Sequence, residues 1–290
     1  MYASPLLHPW LRRACPAIHA GRRAAVVTAA EALLLGGKLT LTHLGRNLRS
    51  AAFAKHSIKR VDRLLGNGHL QQERPVIYRA VARWLLAATP RPILLVDWTD
   101  CAPGHRWLLL RAAVPLGGRA VPVYEAVHPL RRYNSPRTHR RFLEHLRAVV
   151  PAACSPILVT DAGFRGPWFR EVERSGWDWI GRVRNKVKYQ RAGGAWAYTT
   201  APYTGATATP QHLGGARLSR RQPYECQLYL VRQYRRGRGR PPAAHGRGSA
   251  AKRYRKLHKD PCTRTPGCSL PRCRPAAARR GKWSHPTRSG

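Results

Sequence analysis

The sequence predicts an α/β protein: a mixed sheet that carries the chemistry, preceded by a helical domain and followed by a β-rich insertion. Three observations point there. Apolar residues recur at helical spacing through the first ninety residues. From Pro92 to Val183, short continuous apolar runs alternate with helical segments. After Arg184 the chain turns rich in Gly, Tyr and Thr. Its 290 residues, 43% of them apolar, are enough for a buried core. The expected divisions are a helical domain over 1–90, a core over 91–184, an insertion over 185–261, and a disordered basic tail over 262–290.

In the helical domain, Ala24 to Leu35 is a good helix former that stops at Gly36-Gly37. Ser57 reads as the N-cap of a helix from Ile58 to Leu65, with Gly66-Asn67 as its stop. Ile58, Val61, Leu64 and Leu65 share one face of it, so Lys59, Arg60 and Arg63 point outward. A basic outer face of this kind suits DNA reading, and equally a solvated face of an ordinary bundle. A third helix is expected from Pro75 to Ala88.

Ile93-Leu94-Leu95-Val96 reads as a strand buried on both faces that ends at Asp97. Trp107–Val114 and Ala120–Val127 are strand-like, and Leu116-Gly117-Gly118 between them signals a hairpin. Arg140 to Val150 has helical spacing. Pro156 to Thr160 is another buried strand, ending at Asp161. Gly166 to Ser175 suits a helix with Trp168, Phe169 and Val172 inward, and Trp177 to Val183 a fifth strand. Three meandering strands followed by a right-handed crossover place the fourth strand beside the first. This is the ribonuclease-H-like layout, and it makes the ends of the two aspartate-bearing strands neighbours. In the insertion, Lys186–Tyr198 and Cys226–Tyr234 read as strands, while Arg235–Arg240 and Arg247–Lys259 read as basic loops.

The net charge is +40, from 53 Lys and Arg against 13 Asp and Glu. Eleven of the thirteen acids precede Trp179, leaving the back of the chain almost purely basic. Such a chain needs a polyanion, and nucleic acid is the usual one. Exposed arginines at the end of the core (Arg182, Arg184) and on the insertion (Arg235, Arg236, Arg238, Arg240) would grip phosphates. No apolar stretch reaches the ~20 residues of a membrane helix. Seven scattered cysteines argue against a disulfide framework, and Cys262, Cys268 and Cys273 lack the paired spacing of a zinc site. The expectation is a soluble bacterial protein of the cytoplasm, associated with the nucleoid.

Two carboxylates at adjacent strand ends can hold Mg²⁺ or Mn²⁺, which prefer oxygen ligands and water. Paired cations activate the attacking oxygen and stabilise the leaving one in phosphodiester displacement. Asp97 and Asp161 could instead cap strands or pair with arginines, but their positions in so basic a chain favour the metal. Asp100, expected in the following loop, reads as a supporting residue, and Glu125 as structural.

At Asp97-Trp98-Thr99-Asp100 and at Val159-Thr160-Asp161-Ala162-Gly163-Phe164-Arg165-Gly166, the chain resembles a DDE transposase of the insertion-sequence-4 family. Trp177 to Arg184 resembles that family's following strand, and the resemblance covers roughly residues 40–261. It makes Asp97 and Asp161 the first two acids, with Thr99 beside the first. It implies a helical domain that binds terminal inverted repeats, Mg²⁺-dependent cleavage of double-stranded DNA, and transfer of the freed 3′-hydroxyl into target DNA. A homodimer in a transpososome fits the same picture.

The resemblance also implies a third acid, a glutamate on a helix after the insertion, for which this sequence has no matching segment. Glu225 precedes a strand, and Asp260 lies in a basic loop. From Cys262 to Gly290, Leu270 is the only Leu, Ile or Val. Pro266 to Arg272 can be encoded so that a shifted frame reads Trp-Leu-Leu-Ala-Thr-Ser, as the family does there. A frameshift near Pro261 would therefore remove the third acid and leave a defective enzyme. Two other readings stay open: an inactive DNA-binding protein that interferes with intact transposase, and a component that binds structured RNA.

Overall fold

The computed structural model describes residues 4–101, 104, 106–184, 187–232 and 267–271. The chain divides into two compact units. The first comprises residues 1–92, 111–126 and 144–154; the second comprises 93–110, 127–143 and the residues from 155 onward.

The first unit carries five helices: α1 (Ser4–Ala14), α2 (Ala20–Gly36), α3 (Leu41–Arg46), α4 (Ala54–Leu65) and α5 (Gly68–Leu86). Helix α2 stops where its glycines direct. Gly37 takes φ 65°, and its N–H donates to the Leu33 carbonyl at 2.7 Å, a left-handed cap. Helix α4 begins at Ala54, so Ser57 is buried inside it and does not cap it. The reason lies in packing: a Cβ on Gly45 of α3 would stand 2.5 Å from the Ile58 Cα, and this close crossing draws the first turn of α4 into the bundle. Helix α5 also starts early. The Asn67 side chain accepts from the Leu70 N–H at 3.0 Å, and the helix then runs through Pro75. Leu11, Cys15, Ile18, Val27 and Ala80 form one apolar cluster, and Ala32, Leu44 and Val61 a smaller one.

The sheet contains β1 (Ile93–Asp100), β2 (Trp107–Leu116), β3 (Arg119–Pro129), β4 (Ile157–Thr160), β5 (Asp178–Val183), β6 (Lys188–Arg191), β7 (Ala197–Tyr198), β8 (Gln211–Leu218), β9 (Tyr224–Val231) and β10 (Gly267–Pro271). Its order is β3-β2-β1-β4-β5-β10-β9-β8-β6-β7. Two further helices, α6 (Pro136–Val149) and α7 (Gly166–Arg174), lie between β3 and β4 and between β4 and β5. The first five strands have the ribonuclease-H-like order, with β4 parallel to both β1 and β5. Gly117 and Gly118, at φ 54° and 76°, make the two-residue turn from β2 to β3.

The second unit packs one face of β1, β4 and β5 firmly. Leu94, Leu158 and Trp179 are paired across the three strands and buried, and Phe169 of α7 stacks on Trp179 at 3.9 Å. A Cβ on Gly181 would overlap the Phe169 ring, so a glycine is required beneath it. The opposite face departs from the expected double burial. Ile93 is 46% and Leu95 36% exposed, while Ile157, Val159 and Ile180 are half-buried. The alternation arises because α7 covers only the Leu94 side.

Strand β8 went unforeseen because Gly214-Gly215 dilutes its pattern; Gly214, at φ 90°, sits at a register shift. Tyr224 at the start of β9 packs on Phe169 and Trp179, and its hydroxyl donates to the Glu173 carboxylate. Within the stretch expected to be a disordered tail, residues 267–271 form β10, antiparallel to β5 and β9.

Candidate active site

Asp97 lies near the end of β1, and Asp161 immediately follows β4. Val96 is paired with Thr160 in the parallel register, so the two aspartates are the next residues of neighbouring strands that run the same way. Continuous apolar runs drive both strands into the sheet; Asp97 directly follows the run of β1, and Asp161 follows that of β4 after the buried Thr160. Both aspartates are exposed.

Each carboxylate accepts a hydrogen bond from a local backbone donor. The Trp98 N–H donates to Asp97 Oδ1 at 2.8 Å, and the Gly163 N–H donates to Asp161 Oδ1 at 2.8 Å. The protein packed around Asp97 raises its pKa above the ordinary carboxylate range. The Trp98 N–H opposes that shift, and the Asp161 charge adds to it. The two groups therefore repel one another, and a cation between them would relieve this.

The donor set fits a hard divalent cation: two carboxylates, solvent-accessible, each with a second oxygen beyond its backbone bond. Among the described residues, no cluster of three or more His, Cys, Asp or Glu could hold a metal. Asp97 and Asp161 are the residues that would hold the ion.

Behind the aspartates lies a cluster that sequence reasoning missed. Trp98 meets His128, Tyr133 and His139 at ring separations of 5.7, 5.5 and 6.1 Å. His139 also stacks on Phe164 at 5.4 Å and meets Trp168 edge-on at 5.0 Å. Burial pushes the His139 imidazole down to about 4, and the neighbouring His128 adds to the shift. The nitrogens Trp98 Nε1, His128 Nε2, His139 Nε2 and Trp168 Nε1 are buried without a protein partner. Asn134, at φ 52°, donates from Nδ2 to the Gly163 carbonyl at 3.2 Å. Asn134-Ser135-Pro136 is a turn signal by composition, but nothing in it points to the aspartates.

The remaining candidates fall in several places. Thr99 is exposed and lies on the Asp97 side of β1 by strand alternation. Asp100 is the last residue of β1, not part of the following loop, because the strand outlasts its apolar run. Lys59, Arg60 and Arg63 are exposed on α4 in the first unit, as the amphipathic pattern predicts; Leu65, expected inward, is 53% exposed. Arg182 on β5 and Arg184 just beyond it are exposed in the second unit. Arg235, Arg236, Arg238 and Arg240 lie outside the described residues, as does the Arg247–Lys259 stretch. Cys15, Cys101, Cys154 and Cys226 are free thiols, and no described helix is long and apolar enough to cross a membrane.

No curated protein matches the chain. Residues 88–266, more than half its length, match the family profile described as the transposase DDE domain. That span contains both aspartates and every strand from β1 to β9. A ribonuclease-H-like sheet with paired acids at its central strand ends, and this match across it, lead to one assignment: the chain belongs to the transposase DDE domain family.

Proposed function

We propose that the protein is a transposase of the insertion-sequence-4 type, which binds the terminal inverted repeats of its element and cleaves DNA there through Asp97 and Asp161. The observation that carries this reading is the Val96–Thr160 register, which sets the two carboxylates side by side at the mouth of the sheet. When bound, Mg²⁺ or Mn²⁺ would supply charge stabilisation to the attacking and leaving oxygens. The chain's own part is to hold the carboxylates oriented, which the Trp98 and Gly163 N–H groups support. Exposed Lys59, Arg60 and Arg63 of the helical residues 1–90 are proposed to grip the repeat DNA, with Arg182 and Arg184 holding phosphates nearer the sheet.

A second observation favours an impaired enzyme. Parallel strands are normally covered on both faces. Here Ile93 and Leu95, on the face that carries Asp97, are left partly exposed, and no third acid joins the pair among the described residues. Both features agree with loss of a covering helix that bears the third acid, as the reading-frame pattern after Pro261 suggests. We therefore propose that this chain binds DNA well and cleaves it weakly, acting in part as a competitor of intact transposase.

Purified protein, duplex DNA carrying the element's ends, and Mg²⁺ or Mn²⁺ test both parts. The expected result is salt-sensitive binding with slow nicking that is lost in Asp97→Asn and Asp161→Asn. Cleavage as fast as that of a family member with all three acids would remove the impairment reading. Nicking untouched by either substitution would remove the assignment of the site.

A further inference from the structure

Asn134 is one of only two non-glycine residues among the described residues with positive φ, the other being Ser219. A backbone held in this sparsely populated region persists where its surroundings over-determine it, and such positions gather at functional sites. The surroundings here are specific. Asn134 Nδ2 donates to the Gly163 carbonyl at 3.2 Å, and the N–H of that same Gly163 holds Asp161 Oδ1 at 2.8 Å. Gly163 is tightly framed: a Cβ there would stand 3.0 Å from Asp161 Oδ1 and 3.7 Å from the Tyr133 hydroxyl.

The preceding residue reaches the other carboxylate's support. The Tyr133 ring packs edge-on against Trp98 at 5.5 Å, and the Trp98 N–H holds Asp97 Oδ1. Tyr133 and Asn134 are themselves pinned at the entry to α6. The Tyr133 N–H donates to the Leu130 carbonyl at 2.9 Å, and the Ser135 N–H to the Arg132 carbonyl at 3.2 Å. Below them His139, whose N–H donates to the Ser135 carbonyl at 3.0 Å, is wedged between Trp98, Phe164 and Trp168. One dipeptide thus touches Gly163 and the ring of Trp98, the two residues whose N–H groups hold the acids.

We propose that Asn134 is a positioning residue of the active site: its amide clamps Gly163 so that the Gly163 N–H holds the Asp161 carboxylate toward Asp97. This inference rests on the reading of Asp97 and Asp161 as the divalent-cation ligands. The Asn134 side chain touches neither the ion nor DNA in this role; it acts through Gly163.

The test uses the full chain, with Mn²⁺ as the probe, and follows paramagnetic broadening of the Ala162 and Gly163 amide signals, which reads weak binding as well as strong. Asn134→Gly suits the positive φ and removes the side chain with its Nδ2 donor. Ser219→Gly, a change at the other positive-φ site, serves as the control. Expected for Asn134→Gly is a Mn²⁺ midpoint raised by about tenfold or more, as for other groups that orient metal ligands. Faster exchange of the Gly163 amide should accompany it, with the melting temperature close to the parent's. Ser219→Gly should leave the midpoint in place.

An unchanged midpoint in Asn134→Gly, with the parent's binding still abolished by Asp161→Asn, would overturn the positioning role and leave the metal site standing. Loss of the fold in Asn134→Gly would also overturn it, since Asn134 would then be a turn residue of the scaffold. Broadening unaffected by Asp97→Asn and Asp161→Asn would overturn the metal-site reading, and the inference with it.

Discussion

Asp97 carries two opposed demands. Its carboxyl pKa is raised by the protein around it and by Asp161, so the fold favours the protonated form. Its contribution to stability therefore falls as pH rises from the ordinary aspartate value through the raised one. At pH 7 the charge opposes folding. Asp97→Asn should accordingly melt slightly above the parent at pH 7 without divalent cation, and should lose any upward shift that Mn²⁺ gives the parent. His139 has the reverse sign in acid. A buried imidazole held near 4 stays neutral at pH 7, and its contribution is full above about pH 6.5. That contribution is lost as pH falls toward 4, by about 3 kcal/mol in total on linkage arithmetic. His139→Phe keeps the ring contacts with Phe164 and Trp168 and removes the unpartnered Nε2. Thermal melts at pH 7 and 4.5 should show a clearly smaller acid loss in that variant. The aspartates were legible in the sequence because each ends an apolar run. Asn134 and His139 were not, since their importance comes from partners about thirty residues away, such as Gly163 and Phe164.

At the scale of elements, the glycine under α7 gives the sharpest prediction. Gly181→Ala forces a methyl into the Phe169 ring, which is already stacked on Trp179. Overpacking of this kind costs about 1–3 kcal/mol, and chemical denaturation should record that loss with little change in slope. Strands β2 to β5 and helix α7 emerged from apolar periodicity close to their observed bounds, while α6 starts at Pro136, four residues before the expected Arg140. Helix starts were read less well. The cap signal at Ser57 lost to the α3–α4 crossing at Gly45, and Pro75 did not open α5 because Asn67 capped it eight residues earlier. The partly exposed Ile93–Leu95 face was illegible for another reason: a continuous apolar run states that a strand can be covered on both sides, not that both covers are present.

For the whole molecule, charge dominates. With a net charge of +40, affinity for duplex DNA should fall steeply with salt. Replacing Lys59, Arg60 and Arg63 together by Ala should flatten the slope of log affinity against log salt by about 0.9 for each phosphate that is no longer neutralised. An unchanged slope would move the repeat-binding surface elsewhere. The five-strand order and the two acids were legible together, since the crossover rule that places β4 beside β1 also brings Asp97 and Asp161 together. If Asp97 and Asp161 form one cation site, electron paramagnetic resonance should detect bound Mn²⁺ in the parent and its loss in both Asp97→Asn and Asp161→Asn, with DNA binding retained; Mn²⁺ binding that survives either substitution would show that the pair is not one site.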